Sequence, residues 1–177
     1  MQLVQVYLDQ VTCFDTEDLT GADEFYVIGT VYTVDRRSVR PVATQPMDIN
    51  DGQTFKFGPG GGYVFNEYLP DNAIVQLELR AFDEDAGSGA AKYNKILSYS
   101  QQVANQTTLG APLGLALDGI KLVLEADQDD NLTPNHLGVI DTSTPFGWTV
   151  RHWDLYEPGT YSSWSYRIQY WVNRQQM

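Results

Sequence analysis

Ile74-Val75-Gln76-Leu77-Glu78-Leu79-Arg80-Ala81-Phe82 decides the fold class. Val75, Leu77, Leu79 and Ala81 fall on one side of an extended chain, and Gln76, Glu78 and Arg80 fall on the other, which is the period of a half-buried β-strand. A helix would scatter these residues around its axis. The same alternation returns at Ile120, Leu122, Leu124 and Ala126 against Lys121 and Glu125. It returns again at Tyr166, Ile168, Tyr170 and Val172 against Arg167 and Gln169. Leu3 to Cys13, Phe25 to Val34 and Thr149 to Tyr156 are rich in β-branched and aromatic residues and are read as three further strands. Short extended runs at Thr54 to Phe57 and Tyr63 to Phe65 flank the glycine-rich turn Gly58 to Gly62, and Asp51-Gly52 is a second turn signal.

Only 90–108 departs from this period. There Tyr93, Ile96, Leu97, Val103 and Ala104 suit helical spacing, and a helix of that size would carry the chain about 25 Å. The expectation is an all-β chain: an antiparallel β-sandwich of about eight strands with one inserted crossover helix near 90–108. At 177 residues the chain is read as a single domain, 1–177.

Composition narrows the function. Hydrophobic residues at 42% and charged residues at 19% describe a chain that builds a core. Eleven Lys and Arg against 23 Asp and Glu give a formal net charge of −12, which repels nucleic acid phosphates and anionic lipid headgroups. Nucleic acid is excluded as a partner. A single cysteine, Cys13, forms no internal disulfide, and with two histidines it makes no ordinary closed zinc site. No export signal and no transmembrane run of 18 apolar residues is seen, so the cytoplasm is the default expectation, with a surface or extracellular location left open.

The carboxylates are concentrated. Asp15, Glu17, Asp18, Asp23 and Glu24 form one segment; Asp83, Glu84 and Asp85 a second; Glu125, Asp127, Asp129 and Asp130 a third. Each follows an expected strand, so strands running the same way would gather all three segments at one end of the sandwich. Crowded carboxylates raise one another's pKa and cost stability unless protons or a hard cation compensate. Six to eight oxygens at about 2.3–2.6 Å suit Ca²⁺, whereas Mg²⁺ keeps its waters.

Two of these segments resemble calcium loops of C2 domains. Asp18-Leu-Thr-Gly21-Ala-Asp23-Glu24-Phe25-Tyr26-Val27 is similar to the first, and Asp127-Gln-Asp129-Asp130-Asn131-Leu132-Thr133-Pro134-Asn135-His136-Leu137-Gly138 to the third. The resemblance implies Asp18, Glu24, Asp127, Asp129 and Asn135 as ligands at one edge of an eight-stranded sandwich. Glu24, Asn135 and Phe25 depart from the family's Asp, acidic residue and Pro. The longer Glu24 arm moves its carboxylate, and neutral Asn135 removes a charge from the site. Asp83 and Asp85, alternate positions followed by Gly87 and Gly89, are further candidates, without the Gly and Glu that define an EF-hand.

No catalytic set emerges. His152 and Asp154 share a strand face with no activated serine, and Gly58 to Gly62 has no phosphate-loop lysine, so no enzyme activity is expected. The function expected is a non-enzymatic calcium-binding module, with a protein partner or self-association ahead of phospholipid. The alternative is a self-assembling structural subunit of a fibre, shell or surface layer, using exposed Trp164 and Trp171 and the basic tip Arg36, Arg37 and Arg40. A lesser alternative is carbohydrate binding through outward-facing Trp153 and Trp171.

Overall fold

The computed structural model describes residues 1–16, 23–34, 38–58, 62–83, 94, 98, 130–131, 137–157 and 163–177. In chain order the strands are β1 (Gln2–Asp15), β2 (Asp23–Thr33), β3 (Val39–Ala43), β4 (Met47–Ile49), β5 (Thr54–Lys56), β6 (Gly62–Leu69), β7 (Val75–Asp83), β8 (Asp130–Asn131), β9 (Gly138–Ile140), β10 (Gly147–Glu157) and β11 (Trp164–Gln176). They form two antiparallel sheets. The first runs β10-β11-β1, with β5 and β6 both paired to the free side of β1; the second runs β3-β2-β7-β8, with β4 also on β2 and β9 also on β7. The all-β antiparallel sandwich expected from the sequence is therefore the fold. The helix expected at 90–108 and the strand at Ile120 to Ala126 lie outside the described residues, apart from exposed Asn94 and Ser98.

Alternation builds the core. Val75, Leu77, Leu79 and Ala81 of β7 are buried, and so are Tyr166, Ile168, Tyr170 and Val172 of β11. Phe25 of β2 meets Tyr166 across the gap between the sheets, with ring centroids 5.1 Å apart. β1 buries Val4, Val6 and Leu8, then Val11 and Cys13. The one-residue slip between those sets is a β-bulge, where the register against β11 shifts between Leu8 and Gln10. β2 is buried on both faces from Phe25 to Thr33, as its unbroken apolar and β-branched run requires.

Three expectations need correction. The described residues hold eleven strands instead of about eight, the additions being the short β3, β4, β8 and β9. Trp153 does not face outward: it lies opposite Ile168 in the β10–β11 ladder and shares that residue's inner face, 7% exposed. Trp164 takes the same inner parity at the start of β11 and is buried, so it supplies no surface contact. Arg36 and Arg37 lie outside the described residues, and Arg40 forms an ion pair with Glu67 of the facing sheet.

Near the C-terminus a buried cation locks the first sheet. The Arg174 guanidinium donates to Gln2 Oε1 at 2.9 Å, to the Thr142 carbonyl at 3.2 Å and to the Thr144 carbonyl, and it lies 4.6 Å from the Phe146 ring centroid. Arg174→Met keeps the apolar stem and strands those acceptors. We expect a loss of about 2–4 kcal/mol in urea unfolding, because acceptors left buried without a donor carry their full desolvation cost. A loss under about 0.5 kcal/mol would show the network to be dispensable.

The turn beside it sets a pH dependence. The Ser143 hydroxyl and then its amide donate to Asp141 Oδ1 at 2.6 and 2.8 Å, and with a smaller attraction from Arg174 they hold this carboxyl below its ordinary value of 3.8. A depressed carboxyl contributes stability that is present above the unfolded value and lost as pH falls through the folded one. Asp141→Asn should therefore flatten the decline of the urea midpoint below about pH 4. An unchanged acid limb would remove Asp141 from the account.

Candidate metal centre

One pole of the sandwich gathers acidic positions from separate stretches of chain. In the β2–β7 ladder Tyr26 lies opposite Phe82, so the acidic start of β2, Asp23-Glu24, enters the sheet beside the acidic end of β7, Asp83. On the other side of β7, Phe82 pairs with Asn131 and Asp83 pairs with Asp130 of β8. The second and third acidic segments therefore meet in register. The ladder between β2 and β4 adds a position that the sequence did not reveal: Glu24 lies opposite Asp48, between the pairs Asp23–Ile49 and Phe25–Met47.

The end of β1 is fastened to the same pole. Asp51, in the turn after β4, accepts hydrogen bonds at Oδ1 from the Thr16 amide at 2.7 Å and the Thr16 hydroxyl at 2.9 Å. Asp15 Oδ2 accepts from the Ser163 hydroxyl at 2.6 Å, tying the chain ahead of β11 to the exit of β1. The first acidic segment thus leaves β1 and enters β2 at this pole. The far end of the sheet is marked by Thr33 opposite Val75 and Val75 opposite Ile140.

Of the seven residues expected as ligands, Glu24 is placed with its half-buried side chain and Asp83 by its position in β7. Asp18, Asp85, Asp127, Asp129 and Asn135 lie outside the described residues, as does His136. Among the described residues no three His, Cys, Asp or Glu side chains stand close enough to hold a metal. The ladders nonetheless set acidic residues at two opposed positions, Glu24 with Asp48 and Asp83 with Asp130. Carboxylate oxygens in general suit a cation that prefers hard ligands, and not one that needs sulfur or imidazole.

His152 and Asp154 are both exposed on the outer face of β10, and Asp154 is engaged by Arg167 at 2.5 Å. Among the described residues no helix is long and apolar enough to cross a membrane.

No family model matches the chain, and no curated protein matches it. Among solved structures it is similar to one described as the structure of a C2 domain, at 13% identity and a TM-score of 0.41, over 99% of this chain and 100% of that one. It is also similar to a C2 domain of plant Extended Synaptotagmin 1, at 10% identity and a TM-score of 0.42, over 99% of this chain and 95% of that one.

Proposed function

We propose that this chain is a non-enzymatic β-sandwich module that binds Ca²⁺ at its acidic pole and, once charged with the ion, engages a protein partner. The observation that carries this reading is the three-strand ladder in which Asp83 lies opposite Asp130 on one side and follows the β2 entry, Asp23-Glu24, on the other. Asp18, Glu24, Asp127, Asp129 and Asn135 would hold the ion, with Asp83 and Asp85 as further oxygen donors. The ion supplies positive charge to a region of like charge. It thereby offsets the repulsion among the carboxylates. A protein partner is favoured over phospholipid because a net charge of −12 offers an anionic membrane no attraction of its own.

Isothermal titration of Ca²⁺ into chelator-treated protein tests the reading. We expect saturable heats that disappear in the double variant Asp127→Asn, Asp129→Asn. Unchanged heats in that variant would refute the ligand assignment. Size-exclusion chromatography separates the module from a structural subunit: a monomer with and without chelator fits the module, and assembly that persists in chelator fits the subunit.

A further inference from the structure

We infer that the outer face of the β6-β1-β11-β10 sheet is a binding site for a neutral oligosaccharide, distinct from the acidic pole. Cross-strand register lines up an aromatic row on this face: Tyr63 of β6 lies opposite Tyr7 of β1, Tyr7 opposite Trp171 of β11, and Trp171 opposite Val150 of β10. Tyr63 is 51% exposed, Tyr7 and Trp171 are half-buried, and the two tyrosine rings meet edge to face with centroids 5.2 Å apart. The three rings span two strand spacings of about 4.8 Å, about 10 Å in all, and Val150 lies one spacing beyond them.

A second row runs beside it, two residues along β1, β11 and β10 and three along β6, where the register slips between Val6 and Tyr7. Asn66 lies opposite Gln5, Gln5 opposite Asn173, and Asn173 opposite Trp148. Asn66 and Trp148 are exposed and Gln5 is half-buried, whereas Asn173 is buried, 5% exposed, and serves to hold Gln5 in place. The amides are wired to one another: Asn173 Nδ2 donates to Gln5 Oε1 at 2.8 Å and Gln5 Nε2 donates to Asn66 Oδ1 at 3.2 Å. On the other flank the β-bulge aims Asp9 at the same face. Its Oδ2 accepts from Gln169 Nε2 at 2.8 Å and from Trp171 Nε1 at 3.4 Å, which fixes the indole.

The chemistry of the two rows selects the occupant. A hexose ring has an apolar C–H face that rests on an aromatic ring, and equatorial hydroxyls at its rim that both donate and accept. Amides are the side chains that do the same, each with two donor hydrogens and an acceptor oxygen. The charged groups around the rows are already paired, Lys56 with Asp9 at 3.8 Å and Arg167 with Asp154. The centre is left uncharged on a protein of net charge −12, which favours a neutral chain over a uronic or sulfated one. A protein partner would be expected to meet an apolar centre ringed by polar groups, and here amides run alongside the rings through the centre.

The test is tryptophan fluorescence and affinity electrophoresis of the whole chain in chelator, with cellohexaose, laminarihexaose, maltohexaose, xylohexaose and mannohexaose as probes. At least one probe should shift the emission saturably. Tyr63→Ala and Trp171→Ala should each weaken that binding at least tenfold, and Asn66→Ala about threefold, while Val139→Ala on the other sheet leaves it unchanged. Tyr63 and Asn66 are exposed, so their variants separate lost binding from lost folding. No response to any probe, or full binding by Tyr63→Ala and Asn66→Ala, would overturn the inference. So would a dimer in sedimentation that Tyr63→Ala disperses, because the face would then belong to a second copy. Working in chelator keeps this result independent of the calcium reading.

Discussion

Saturating Ca²⁺ is expected to raise the melting temperature of chelator-treated protein by about 5–10 °C. A ligand at one hundred times its dissociation constant adds about 2.7 kcal/mol to the folded state. For a domain of this size each kcal/mol moves the midpoint by about 2–4 °C. The double variant Asp127→Asn, Asp129→Asn should lose the shift and, in chelator, melt no lower than the parent chain, because removing two charges from a crowded pole relieves repulsion. The second half separates a metal site from an ordinary capping role: caps lost from turns would lower the chelator midpoint as well. Differential scanning calorimetry of both proteins, with and without the ion, reads the four values. A shift retained in the variant would place the ion elsewhere.

Gly29→Ala should be the most damaging single-methyl substitution in the described residues. Gly29 lies in the middle of β2 at a φ of +152°, and a Cβ there would fall 2.0 Å from the Glu78 carbonyl oxygen and 2.9 Å from the Leu79 Cα. Both are backbone atoms of β7, so no side chain can move aside. Relief requires the two strands to part at the register pair Gly29–Leu79. We expect a loss of at least about 3 kcal/mol in urea unfolding, or failure to fold. Gly52, at a φ of +73° with nothing within 4 Å of its added Cβ, gives the comparison: Gly52→Ala should cost about 1 kcal/mol, the conformational part alone. Equal losses at the two sites would mean that close approach of β7 contributes nothing. The same ladder sets the β2 entry beside Asp83, so a folded Gly29→Ala protein should also bind Ca²⁺ more weakly than Gly52→Ala.

How much of this could be read from the chain depends on how much of each strand's burial is one-sided. β7 alternates cleanly from Val75 to Ala81 and β11 from Trp164 to Val172, and only near their ends, at Phe82 and Asn173, is the other parity buried as well. β10 misleads because both parities hold large apolar groups: Trp153 and Leu155 inside, Trp148, Val150 and Tyr156 outside. Only the register against β11 tells them apart. β3 carries Pro41, which has no amide to donate, and β4 and β9 are three residues long; none of them repeats a pattern often enough to be seen. The acidic ends of β2 and β7 were legible as carboxylate runs beside strands, while the strand expected before the third segment lies outside the described residues. The opposition of Glu24 and Asp48 was not legible, because pairing across a sheet depends on fold-wide register that local spacing does not contain.

Paramagnetic relaxation by Mn²⁺, another cation that takes carboxylate oxygens, addresses the central claim most directly. In a titration followed by amide NMR, the account predicts that resonances of residues 24–26, 82–83 and 130–131 broaden first and together, that excess Ca²⁺ restores them, and that Thr33, Val75 and Ile140 stay sharp. Broadening that begins at Thr33 and Val75, or that reaches residue 24 without reaching residue 130, would contradict it.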